Sequence, residues 1–132
     1  VAGGVTRALL DTSILIADAE VVALERGQTA AISVITIGEL RAGVALAADA
    51  GTRAARQARL AAVRTAFEPL VVDEAVAEHY GEVLAKARSE RRTSKATDLL
   101  IIATAAATGR VLHTLDAAQA QLARAAGIPT QP

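Results

Sequence analysis

The stretch SKATDLLIIATAAATGRVLHTLD, residues 94–116, decides the architecture, because it reads as a helix that hands the chain straight to a short strand. Ser94 or Thr97 is placed to cap the helix, and the run from Leu99 to Ala107 is apolar except for Thr104. Gly109 stops the helix after Thr108. Val111–His113 then reads as a strand with an acid, Asp116, just beyond it. A buried helix followed at once by a buried strand is half of a βαβ unit.

The same alternation extends outward in both directions. After a loose start at Val1–Gly4, a strand is expected from Arg7 to Leu10 and a short helix from about Ile14 to Ala19. Ala30–Val34 reads as a second strand. The spacing of Ile37, Leu40 and Val44 predicts a helix over Thr36–Ala48. Gly51 and Thr52 break the pattern before a helix over Arg53–Phe67, whose Leu60, Val63 and Phe67 lie opposite a solvated row of Arg53, Arg56, Arg59 and Arg64. Leu70–Val72 is a third strand, Asp73 caps a helix reaching about Arg91, and residues 91–95 form a basic loop. A last helix over Ala117–Ala126 ends at Gly127, and Ile128 begins a short final strand. This order predicts an α/β fold, a three-layer α/β/α sandwich around a parallel sheet of four to five short strands.

The chain has 132 residues and no linker-like stretch, so one domain over residues 1–132 is expected. Its 52 % hydrophobic content is weighted toward Ala, which implies close helix packing around fewer Leu, Ile and Val anchors. The absence of cysteine excludes disulfides and thiolate metal sites and fits a cytoplasmic location. No signal peptide is read at the start, where Asp11 interrupts the apolar stretch, and no apolar run approaches the about 20 residues that span a bilayer.

Four acids stand where a strand ends or a helix begins: Asp11 in ALLDTS, Glu39 in ISVITIGEL, Asp98 in the helix start quoted above, and Asp116. In a parallel sheet these positions share the carboxyl edge, where ligands of α/β proteins bind. Two unit charges about 6 Å apart at an effective dielectric of about 20 repel by roughly 3 kcal/mol. Four carboxylates gathered together must therefore bind a cation, hold protons or stay well hydrated. Hard divalent cations prefer such oxygen ligands, and Mg²⁺ takes one or two carboxylates directly while keeping waters. Asp11 and Asp98 are the leading candidates for direct ligands. Each acid also has a purely structural reading: Asp11, Asp98 and Asp116 at helix starts, and Glu39 closing a capping box with Thr36.

Basic and acidic residues number 14 each, so net charge does not announce a nucleic-acid partner. Setting the four acids aside leaves ten against the 14 basic residues, a mildly cationic surface around an acidic pocket. Arg88, Arg91, Arg92 and Lys95 precede Asp98 closely enough to hold phosphates or a partner, and Arg41 follows Glu39. Phe67 and Tyr80 are the only aromatic residues, too few for a base-stacking platform. His79 and His113 lack zinc spacing and read as structural. There is no GxxxxGK or GxGxxG loop, and Ser13 stands where a haloacid-type phosphatase needs its second Asp. A receiver domain would use Asp73, but no lysine follows the last strand.

LLDTS, SVITIGELRAG, TDLLIIATAAATG and VLHTLDAAQ, in this order and over essentially the whole chain, resemble the PIN-domain ribonucleases, specifically the VapC-type toxins of bacterial toxin–antitoxin pairs. The resemblance implies Mg²⁺- or Mn²⁺-dependent endonuclease cleavage of RNA, inhibition by a VapB-type antitoxin, and a homodimer. It implies that Asp11, Glu39, Asp98 and Asp116 are the catalytic and metal-binding acids, with Thr12, Ser13 and Thr114 as supporting hydroxyls. Ala120 departs from the pattern where an aromatic often follows the last acid, and His113 replaces an aliphatic residue. The rival expectation is a non-catalytic PIN-like module that binds protein or RNA.

Overall fold

A computed structural model describes residues 7–17 and 29–131. The expected loose start at Val1–Gly4 and the end of the first helix at Asp18 and Ala19 lie outside the described residues. Five strands, β1 (Ala8–Leu10), β2 (Ala30–Ser33), β3 (Pro69–Leu70), β4 (Val111–His113) and β5 (Thr130–Gln131), form one sheet in the order β3-β2-β1-β4-β5. Every pairing is parallel. Residues 12–17 are helical (α1), followed by α2 (Val34–Ala45), α3 (Ala50–Ala66), α4 (Glu74–Ser89), α5 (Ala96–Thr108) and α6 (Ala117–Ala125).

β1 explains why helices cover both faces. Successive side chains of a strand point to opposite sides, and Ala8 and Leu10 enter one core with Leu40 and Val44 of α2 and Leu60 and Val63 of α3. Leu9 enters the other, with Val83 of α4, Ile101 and Ile102 of α5 and Leu122 of α6. All three β1 residues are buried, as expected of a central parallel strand. α5 buries Leu99 and the whole run Ile101–Ala105, so its near-continuous apolarity reflects contact on several sides. Gly109 takes the left-handed conformation (φ 63°), which lets the Arg110 N–H reach back to the Ala105 carbonyl at 2.9 Å. No helix among the described residues is long and apolar enough to cross a membrane.

Several boundaries differ from the sequence expectation, each for a local reason. α2 begins at Val34 rather than Thr36, because Ser33 leaves β2 and caps the helix by accepting from the Ile35 N–H at 3.0 Å. Gly51 and Thr52 do not interrupt α3; Asp49 caps it, accepting from the Thr52 N–H at 2.7 Å and the Thr52 hydroxyl at 3.1 Å. The third strand is Pro69–Leu70, which leaves Val71 and Val72 exposed beyond the sheet. Neither Ser94 nor Thr97 caps α5, since Lys95 holds the cap position without a side-chain bond. Asp98 in the first turn supplies a negative charge to that helix end instead. The arginine face of α3 is only partly solvated: Arg56 Nη1 donates to the Gly43 carbonyl at 2.7 Å and Arg53 Nη2 to the Ala47 carbonyl at 3.1 Å.

Candidate active site

The register of β1 on β4 sets the first half of the site. Leu10 pairs with His113, and the Asp11 N–H donates to the His113 carbonyl at 2.9 Å, so Asp11 and Thr114 leave the sheet side by side. Asp11 is 5 % exposed. Its Oδ2 accepts from the Ser13 hydroxyl at 2.6 Å and the Ser13 N–H at 3.1 Å, and Thr114 Oγ1 lies 3.2 Å away. Ser13 Oγ accepts in turn from the Leu115 N–H at 3.0 Å, which ties the start of α1 to the chain after β4.

The second half is built from α1 and α2. Thr12 Oγ1 donates to Glu39 Oε1 at 2.6 Å, and the hydroxyl of the fully buried Thr36 lies 3.1 Å from Thr12 Oγ1. The capping box anticipated between Thr36 and Glu39 does not form. With α2 starting two residues early, Thr36 is inside the helix and Glu39 is free to meet Thr12.

Asp98 and Asp116 complete the edge. Burial raises the Asp98 carboxyl above its ordinary 3.8, and the negative charges of Asp11, Asp116 and Glu39 push it further, with Lys95 opposing them. The charges of Asp11, Asp116 and Glu39 thus all act on Asp98. Asp116 is exposed and caps α6, its Oδ1 accepting from the Ala118 N–H at 3.0 Å and the Gln119 N–H at 3.1 Å. Among the described residues no three His, Cys, Asp or Glu side chains close around a single point as a metal cage would. The oxygen-only, like-charged donor set fits an ion that takes one or two carboxylates and completes its shell with water.

The basic candidates are placed unequally. Lys95 is exposed and close enough to Asp98 to act on its charge. Arg92 is drawn into an ion pair with Glu90 at 2.7 Å, Lys86 meeting the same carboxylate at 3.1 Å. Arg88 and Arg91 are exposed, Arg91 with φ 55°, and Arg41 donates to Gln57 Oε1 at 3.3 Å across to α3. A hollow of about 270 Å³ joins Ile16, Leu40, Arg56 and Arg59 to Glu39. Arg56 and Arg59 therefore share a hollow with Glu39, a placement that periodicity on α3 alone does not disclose. A larger hollow, about 580 Å³, lies at the opposite edge among His79, Lys86, Arg110 and Ile128, away from the acids. Gln119 was also missed; it is 4 % exposed and touches both Asp11 and Thr114.

A parallel α/β domain with an acidic carboxyl edge is the class these features define. Residues 8–125 match the PIN domain family model. The chain is 42 % identical over 106 residues to Ribonuclease VapC8 of Mycobacterium tuberculosis, covering 78 % of this chain and 94 % of that one. It is 39 % identical over 115 residues to Ribonuclease VapC4 of the same organism, covering 85 % and 88 %. The crystal structure of VapBC-5, a VapBC toxin–antitoxin family member from M. tuberculosis, superposes with a TM-score of 0.82 at 32 % identity, covering 96 % of this chain and 98 % of that one. The chain belongs to the PIN-domain family, among its VapC-type members.

Proposed function

We propose that this chain is a divalent-metal-dependent endoribonuclease, the toxin of a VapBC-type pair. The observation that carries this reading is the convergence of four acids from separate elements on one edge, where Asp98 feels the charge of the other three. The names of its relatives, ribonucleases and VapBC complexes, support RNA as the substrate and a VapB-type antitoxin as the partner. Asp11 and Asp98 are the residues to hold Mg²⁺ or Mn²⁺ directly, with Glu39 and Asp116 acting through water. When bound, such an ion makes water a better nucleophile near neutrality and offsets charge on the phosphate.

The chain's own residues do the rest. Thr12 fixes the Glu39 carboxylate, while Ser13 orients Asp11 through Oδ2. Lys95, with Arg88, Arg91 and Arg41, offers charge to RNA phosphates or to an acidic partner; Arg92 contributes less because Glu90 already engages it. A single domain over 1–132, a homodimer and a cytoplasmic location accompany this reading.

The capping roles of Asp116 and Asp11 favour the second reading, a non-catalytic PIN-like binding module. Incubation with total cellular RNA separates the two. The nuclease reading expects discrete cuts in Mg²⁺ that disappear in EDTA and in Asp11→Asn; binding without cleavage under all conditions supports the module.

A further inference from the structure

We propose that Gln119 is a positioning residue that aims the Asp11 carboxylate at the acidic pocket; this rests on the nuclease reading. Gln119 is the third residue of α6, after the cap Asp116. In that position a Gln side chain ordinarily turns back to the cap residue's own N–H. Here the Asp116 N–H donates instead to Thr114 Oγ1 at 3.0 Å, which releases Gln119 to turn inward. Its Oε1 accepts from the Thr114 hydroxyl at 2.7 Å, and its Nε2 donates to Asp11 Oδ1 at 3.3 Å.

The direction of the amide is dictated by its neighbours. Reversing it sets an oxygen acceptor against a carboxylate oxygen, whereas the observed arrangement gives each atom a partner of the opposite kind. Asp11 is consequently held at both oxygens, Oδ2 by Ser13 and Oδ1 by Gln119, without a further charge entering the pocket. A neutral donor suits this place, because a fifth carboxylate would add to repulsion already present among four. Residues that orient a metal-ligating carboxylate typically change metal affinity about 10- to 100-fold when removed.

The test uses the full chain with Mn²⁺ as probe, free Mn²⁺ read by electron paramagnetic resonance and thermal unfolding read without metal. Gln119→Leu preserves volume and removes both hydrogen bonds; it is expected to weaken Mn²⁺ binding by about 10-fold or more in a folded protein. Unchanged Mn²⁺ affinity in folded Gln119→Leu overturns the proposal. Should that variant not fold, Gln119→Glu decides: the new oxygen beside Asp11 is expected to lower the metal-free melting temperature, and Mn²⁺ to restore it. Melting identical to wild type without metal overturns the proposal. A wild-type chain that binds no Mn²⁺ overturns the nuclease reading and this one together, whereas wild-type binding with indifferent Gln119 variants removes only the positioning role.

Discussion

Thr12 and Glu39, 27 residues apart, are joined by a 2.6 Å hydrogen bond in which the Thr12 hydroxyl donates to Glu39 Oε1. The bond links the first turn after β1 to the middle of α2 and fixes the one glutamate of the acidic edge. Thr12→Val keeps the shape and removes the donor. Its cleavage of RNA is expected to fall by about 10- to 100-fold, and Thr12→Ser to retain most of the activity. Steady-state kinetics on a fluorogenic RNA check this; equal rates for Thr12→Val and wild type would remove the bond from the mechanism.

Asp98 gives the chain a characteristic pH dependence. Its carboxyl is raised above 3.8 by burial first and by Asp11, Asp116 and Glu39 next, so the folded chain holds the proton more tightly than the unfolded one. The stability this contributes is full below the unfolded value and is lost as pH rises through the raised folded value. Asp98→Asn is therefore expected to raise the metal-free melting temperature at neutral pH, with the gain shrinking as pH falls toward 3.8. Melting curves over that range decide it, and a gain independent of pH would contradict the electrostatic origin.

Divalent metal should offset the same repulsion. At a hundredfold excess over its dissociation constant, a ligand of the folded state alone adds about 2.7 kcal/mol, a shift of several degrees for a chain of this size. Mn²⁺ is expected to stabilise the wild type in this way and to have little effect on Asp11→Asn. Equal shifts in both would place the ion elsewhere.

RNA contact should be electrostatic and unevenly distributed. Lys95 is exposed beside Asp98, whereas Arg92 is paired with Glu90. Lys95→Ala is expected to reduce the slope of log affinity against log salt by about 1, the signature of one lost phosphate contact. Arg92→Ala should change it less. Binding of inactive Asp11→Asn to RNA across a salt series measures both slopes.

Much of the fold was legible because its signals are local. The short apolar run Ala8–Leu10, the apolar run of α5 and the Gly109 stop all depend on neighbours in sequence. The start of α2 was harder: Val34, Ile35 and Thr36 are β-branched and extend the strand pattern, yet Ser33 caps a helix there. The placement of the four acids at one edge followed from fold class, since β1 and β4 direct Asp11 and Thr114 together once paired in parallel. Gln119 was illegible for a different reason. Asp116 and Gln119 have the spacing of a local cap, and only the Thr114 hydroxyl, folded against that turn, redirects the side chain to Asp11. Arg56 and Arg59 share that limitation, because their nearness to Glu39 depends on how α3 lies across α2.

The nuclease reading requires that the carboxyl edge hold a divalent ion at Asp11 and Asp98. Anomalous diffraction from crystals soaked in Mn²⁺ tests it most directly. A peak in contact with both carboxylates that is lost in Asp11→Asn is expected; no peak at that edge, with RNA still cut in EDTA, would contradict the metal mechanism.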